Sequence, residues 1–358
     1  MGSGTYASPV ATSTRRELAR EQIVRLCRTE LPVRAFRAAV LEQLRLAIDF
    51  DSYVFVLTDP QTCVGSDPLA DVPMLGDLPR LIRLKYATSV NRWTTLDDPP
   101  VASLCEVTGG CPEQSLLWRD MLAAAGIVDV ASIVFRDRFG CWGFLDLWRS
   151  GHRSPFVRGD ADFLATIVPA VTTALRRGQA ATFSPRPGGM ANRDALVLLL
   201  SPDLTIRAQT QQTDEYLRRL LPTPPEMFPI PAAVYNVAAQ LVAVEAGVDD
   251  HPPAASVHLG DGIWVTLRAA RIGDGRPGDI AVTLDSASPT ERMELFSRSC
   301  ALTARESELL AVLADGADTR HAAAQLYLSA HTVQDHLKSI FDKTGTRSRR
   351  ELLARALG

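Results

Sequence analysis

Apolar residues recur at helical spacing through the last sixty positions of the chain. Leu309, Leu310 and Leu313 make one stripe, and Val333, Leu337, Ile340 and Phe341 fall at i, i+4, i+7 and i+8 of another. Start and stop signals frame each stripe. Leu302-Thr-Ala-Arg-Glu306 opens a helix in which Thr303 caps and Glu306 reaches back, a capping box, and Gly316 ends it. Asp318 or Thr319 caps a second helix, with Ala322, Ala323 and Leu326 facing inward. Tyr327-Leu328-Ser329 reads as a tight turn. Ser329 caps a third helix over about 330–344, stopped by Gly345. Ser348 and Glu351 form another box, and Leu352, Leu353, Ala356 and Leu357 give a last apolar face. The pattern predicts four short helices, the middle two joined by a turn of about three residues, which is a helix-turn-helix.

Upstream, the periods alternate. Leu18, Ile23 and Leu26, then Phe36, Val40, Leu41, Leu44 and Leu46, predict two helices, and Tyr53–Leu57 a buried strand. Pro68, Pro73, Pro79, Pro99, Pro100 and Pro112 predict loops and short helices over 60–120. Ala131–Phe135, a polar turn and Cys141–Trp148 read as strand, turn, strand. Phe163, Leu164, Ile167, Val168, Val171, Ala174 and Leu175 then predict a long helix, bent at Pro169. Beyond the Pro/Gly/Ser-rich stretch 184–190 come two short strands (195–200 and 205–208), helices over 211–221 and 232–246, and three strands punctuated at Gly260–Gly262 and Gly273–Gly278.

Composition narrows the function classes. The chain has 358 residues, room for two or three domains at about 150 residues each. It is 46% hydrophobic and 22% charged, ordinary for a globular protein, and its net charge of −3 excludes a basic nucleic-acid coat. The basic charge is local: from Lys338 to the end stand Lys338, Lys343, Arg347, Arg349, Arg350 and Arg355 against Asp342 and Glu351. No apolar run reaches the ~18 residues of a membrane span, and no apolar stretch follows Arg15-Arg16, so the expected place is the cytoplasm, with no membrane partner. Six cysteines there are expected reduced; Cys105 and Cys111 read as loop thiols, and no metal, cofactor or catalytic group is expected. The glycine pairs read as turns rather than phosphate loops, and nothing marks a phosphate-accepting receiver.

Three resemblances follow from these residues. The strand, polar turn, Trp142-Gly143-Phe144 strand, Phe156, Asp160 and helix ending Ala174–Arg177 resemble a GAF sensor domain over 15–178. Two short strands, helices and a three-strand meander over 193–286 are similar to a PAS domain, departing from it at Leu204, where Gly is usual, and Gln209, where Asn is usual. Leu302-Thr303-x-Arg305-Glu306, Gly316, Ala323, Leu326, Ser329, Thr332-Val333, His336, Ile340, Lys343, Gly345, Arg347-Ser348-Arg349 and Leu352 look like a LuxR-type DNA-binding domain, with Ala322 and Thr344 smaller or more polar than usual. The expected fold class is multidomain: an α+β GAF-like sensor domain, an α+β PAS-like domain and an all-α four-helix LuxR-type helix-turn-helix domain at 300–358. A disordered tail at 1–14, a linker at 179–192 and a linker helix at 287–299 complete the organisation.

The resemblance implies a sequence-specific DNA-binding transcriptional regulator. Gln334, Asp335 and Lys338 of the third helix would face bases, and Arg320, Ser329, His331, Thr332 and Arg347 belong to the DNA-binding set, the first four at phosphates. Asp335 reads equally as an acceptor for a cytosine amine and as a favourable charge near a helix N-terminus. Leu353 and Leu357 would pair two copies into a homodimer. Double-stranded DNA is the implied partner; RNA polymerase and a small-molecule effector are candidates. Trp93, Trp118 and Trp142 are candidate pocket residues, with core packing as the alternative. Two other functions stay open. One is a GAF-type thiol enzyme using Cys63, Cys105, Cys111 or Cys141, for which the region itself offers only His152. The other is a regulator whose sensor domains are ligand-free dimerisation modules.

Overall fold

A computed structural model describes residues 9–185, 196–220, 232–273 and 278–358. The chain opens with α1 (Pro9–Leu26) and α2 (Val33–Ala47), followed by β1 (Ser52–Thr58), β2 (Gly65–Asp71), α3 (Leu78–Ala87), β3 (Val101–Ser103), α4 (Leu104–Val107), β4 (Ile127–Asp137), β5 (Gly140–Ser150) and α5 (Arg158–Ala180). Residues 9–14, expected in a disordered tail, belong to α1. Proline is tolerated in a first helical turn, and Arg16 anchors the helix through the Gly159 carbonyl at 2.7 Å and the Asp160 carboxylate. Residues 1–8 lie outside the described residues. Pro169 sits inside α5 without ending it.

The strands form an antiparallel sheet in the order β2-β1-β5-β4-β3. Strand alternation sorts its side chains. Phe55, Ile133, Phe135, Leu145 and Leu147 face α1, α2 and α5, packing on Ile23, Phe36, Val40, Leu164 and Val171. Val56, Val134 and Phe144 face the other way.

The second domain contains β6 (Leu196–Leu200), β7 (Ile206–Gln209), α6 (Thr213–Leu220), α7 (Ala232–Glu245), β8 (Ala254–His258), β9 (Trp264–Arg271) and β10 (Ile280–Ser286). Its sheet runs β7-β6-β10-β9-β8, so both domains follow the same antiparallel strand order with no repeat in sequence. Of the linker expected at 179–192, residues 179–180 belong to α5 and 186–192 lie outside the described residues, as do 274–277 of the turn expected at 273–278.

The two sheet domains share a core. Helix α7 (AAVYNVAAQLVAVE) is apolar on nearly every side, the pattern of a helix buried all round. Val234, Val237 and Ala238 join Leu198, Val265 and Val282 of the second sheet with Ile82, Tyr86, Trp93 and Phe144 of the first domain in one cluster. Polar groups seal the boundary. Buried Arg92 pairs with Asp249 at 2.7 Å and donates to Gln240 at 3.2 Å, and Thr94 donates to Asp249 at 2.9 Å. The Ser256 amide donates to Asp59 at 2.8 Å.

Helix α8 (Pro289–Ser299) then leads to α9 (Ala304–Ala314), α10 (Thr319–Gln325), α11 (Ala330–Thr344) and α12 (Arg349–Leu357). Among the described residues no helix is long and apolar enough to cross a membrane.

Candidate nucleic-acid interface

Local hydrogen bonds set each helix of the C-terminal region. Thr303 accepts from the Glu306 amide while Glu306 accepts from the Thr303 amide at 2.7 Å. Asp318 caps α10 through the His321 amide at 2.8 Å, Ser329 caps α11 through the Thr332 amide at 3.0 Å, and Ser348 caps α12 through the Glu351 amide at 3.2 Å. Gly345 closes α11 in the left-handed region at φ 65°, where glycine has no Cβ to strain. Leu309, Leu310, Leu313, Ala322, Val333, Ile340, Leu352 and Ala356 are buried in one cluster.

With that core fixed, α11 turns a polar row to solvent. Gln334, Asp335 and Lys338 are exposed, and so are Arg320, Ser329, His331 and Arg347; Thr332 is half-buried. His331 Nε2 lies 3.7 Å from Asp335 across one turn. The Ser329 hydroxyl is already engaged by the Thr332 amide and hydroxyl, the latter at 2.9 Å.

Three of the basic residues counted from sequence with a phosphate-binding surface have partners inside the chain instead. Lys343 pairs with Glu306 at 2.6 Å. Burial pushes the Glu306 carboxyl up, but hydrogen bonds from Lys343, Ser339 and the Thr303 amide outweigh it and bring it down to about 2. Arg349 donates to the Leu313 carbonyl at 2.9 Å. Arg355 donates to the carbonyls of Phe183 at 3.0 Å and Thr344 at 2.6 Å. Charge count alone does not tell a positioned cation from a free one; in each of these cases the partner lies more than ten residues away.

Helix α12 packs on α8 of the same chain; Leu353 is half-buried against the C-terminal core, and Leu357 is half-buried. The docking surface includes Phe183, which stacks on Trp264 at 5.0 Å and meets Phe296 edge-on at 5.3 Å. Arg292 ties it together, donating to the carbonyls of Gly262, Ser184 and Arg355 at 2.6, 2.8 and 3.1 Å.

A mostly apolar cavity of about 60 Å³ lies between the first domain's sheet and α3 and the second domain's α7. Val54, Ile82, Tyr86, Trp148 and Asn236 line it, above the Lys85–Asp146 ion pair at 2.6 Å. None of Trp93, Trp118 and Trp142 is among its lining residues. Trp93 stacks on Phe144 at 4.6 Å in the shared core, and Trp118 donates its Nε1 to the Ile127 carbonyl at 2.9 Å. Trp142 is displaced by a β-bulge. Phe135 pairs with Gly143 but Arg136 pairs with Cys141, so Trp142 is the extra residue and points to the opposite face from Phe144.

Comparison with known proteins places this region. Residues 300–356 match the sequence model of the bacterial regulatory proteins, luxR family. The chain is 40% identical over 73 residues to the probable HTH-type transcriptional regulator GfsR of Streptomyces halstedii, covering 20% of this chain and 30% of that one. It is 50% identical over 48 residues to the probable transcriptional regulatory protein SgaR of Hyphomicrobium methylovorum, covering 13% and 23%. The chain thus spans less than a third of the length of these relatives. The crystal structure of Escherichia coli SdiA aligns over 95% of both chains at 12% identity, but with a TM-score of 0.38, too low to argue a shared architecture. The matched family is one of transcription regulators rather than enzymes. The C-terminal segment is a LuxR-type helix-turn-helix region, carried behind two antiparallel α+β sheet domains.

Proposed function

We propose that the chain is a sequence-specific DNA-binding transcriptional regulator whose α11 enters the major groove under the control of a GAF-like and a PAS-like sensor domain. Gln334, Asp335 and Lys338 read base edges. Arg320, Ser329, His331 and Thr332 meet phosphates and set the register, and Arg347 completes the DNA-binding set. The observation that carries this reading is the exposed polar row of α11 inside the segment that matches the luxR family. The active form is a homodimer paired through Leu353 and Leu357 of α12, working in the cytoplasm with RNA polymerase as its further partner. Because α12 also packs on α8, pairing competes with docking, and a signal acts by shifting that balance.

The test uses the full chain. It is selected on random duplexes, then titrated with salt beside Lys338→Ala. The expected result is weaker binding and a salt slope smaller by about one. Unchanged binding overturns the assignment of α11.

The cavity favours a second reading of the sensor half. Its volume is about 60 Å³, whereas pockets for drug-sized ligands run roughly 300–1,000 Å³. A drug-sized effector in this cavity therefore needs α3 and α7 to part, and without an effector the two sheet domains act as a ligand-free dimerisation body. Thermal stabilisation by a small molecule supports the effector; a melting temperature that no compound moves supports the dimerisation body.

A further inference from the structure

The cavity between the two sheet domains is walled by polar groups that the described residues leave unsatisfied. Asn236, on α7, lines it and is only 6% exposed, and among the described residues its side-chain amide has no hydrogen-bond partner. Gly65 of β2 makes room for that amide: a Cβ there would lie 2.9 Å from Asn236 Nδ2 and 2.9 Å from a methyl of Val56. Trp148, another lining residue, is 1% exposed, and its indole Nε1 has no partner among the described residues either. Buried polar groups are ordinarily paired, so two orphans around one cavity point to an occupant.

The charged groups of the wall are already matched. One Asp146 oxygen takes Lys85 at 2.6 Å and the other takes the Ser132 hydroxyl at 2.6 Å. A further charge would be buried without a counter-ion, which is costly, so the occupant is neutral. Val54, Ile82 and Phe144 supply apolar wall. A water takes roughly 10–15 Å³ of such space, so about 60 Å³ holds about four to six non-hydrogen atoms. Several waters would each need two to four polar partners, more than this wall offers. One organic molecule with an apolar body and one carbonyl fits better, because the carbonyl accepts from the Asn236 amide.

We propose that this cavity is a binding site for a small neutral carbonyl compound, a short ketone or amide. Its carbonyl bonds the Asn236 side chain of the second domain while its apolar body rests on the sheet and α3 of the first. Occupancy therefore favours the docked arrangement of the two domains. The site rests on the effector reading of the sensor half, narrows it to a ligand that enters without parting α3 from α7, and is independent of the DNA face.

The experiment titrates the isotope-labelled full chain with butanone, N-methylacetamide and propanoate, three probes of matched size. It follows the indole N–H resonance of Trp148, identified by its loss in Trp148→Phe. The expected result is a saturable shift with butanone and N-methylacetamide, at affinities about tenfold tighter than for propanoate. The resonance of Trp118, whose Nε1 is held by the Ile127 carbonyl, stays in place and reports an intact fold. Asn236→Leu removes the amide, and Gly65→Ala displaces it; each is expected to weaken butanone binding about fivefold. No saturable shift in the wild-type chain overturns the site, whatever the variants do. If another compound then raises the melting temperature, the effector reading stands and only this site falls; if none does, both fall. Propanoate bound as tightly as butanone overturns the neutral class, and unchanged affinity in the two folded variants overturns the role of Asn236.

Discussion

Arg355 donates from Nε to the Phe183 carbonyl at 3.0 Å, joining the last helix of the helix-turn-helix region to the segment that leaves the first sheet domain. The same guanidinium reaches the Thr344 carbonyl at the end of α11 at 2.6 Å, where a cation also favours the helix dipole. One side chain thus ties α11, α12 and the first domain together. Hydrogen bonds to a charged group are worth about 1.5–3 kcal/mol each. Arg355→Ala is expected to speed amide exchange in α12 and at 180–185 at least tenfold. Exchange at the wild-type rate shows that α12 is held by its apolar contacts alone.

Glu306 links α9 to α11 through Ser339 at 2.6 Å and Lys343 at 2.6 Å. Its carboxyl sits at about 2 when folded against an ordinary 4.5. A depressed carboxyl contributes stability that is present above pH 4.5 and is lost as the pH falls toward 2. The shift corresponds to roughly 3 kcal/mol. Acid unfolding of Glu306→Gln is expected to lose its slope between those pH values, and the variant is less stable at pH 7. An identical pH profile for the two proteins shows that the pair does not stabilise the fold.

Gly345 ends α11 at φ 65°, and an added Cβ meets nothing within 4 Å. Any cost of a side chain there is backbone strain alone. Gly345→Ala is expected to destabilise by about 1 kcal/mol, read by denaturant titration at constant slope. A neutral result means the turn has a second conformation open to alanine.

Arg92 and Asp249, both nearly fully buried, pair across the two sheet domains. Removing one partner strands a buried charge, so Asp249→Ala is expected to cost about 3–5 kcal/mol. Arg92→Met with Asp249→Ala together is expected to cost less than the single change, because no charge is stranded. Additive costs in the cycle would mean that the two groups do not interact.

What could be read without a structure was local. The four C-terminal helices, their caps at Thr303, Ser329 and Ser348 and the glycine stop at Gly345 rest on hydrogen bonds between residues three or four apart, so their signals lie side by side in the chain. The exposed row on α11 follows from the same 3.6-residue period. The strands at 131–135 and 141–148 were legible by alternation, until a single extra residue at the bulge reversed the direction of Trp142.

Tertiary structure decided the rest, because those contacts are made between residues far apart in the chain. The run AAVYNVAAQLVAVE announces a helix but not that it lies between two domains and gives them a common core. His152 was the only histidine in sight of the first domain's cysteines; folding brings His251 to Cys63 across 188 residues. The basic residues near the C-terminus look alike in sequence, yet Lys343 and Arg355 are held by Glu306 and Phe183 while Lys338 faces solvent. Period and capping are properties of neighbours along the chain and are settled by the sequence itself. Which surface a helix covers, and which charges remain for DNA, depend on partners that only the folded chain brings together.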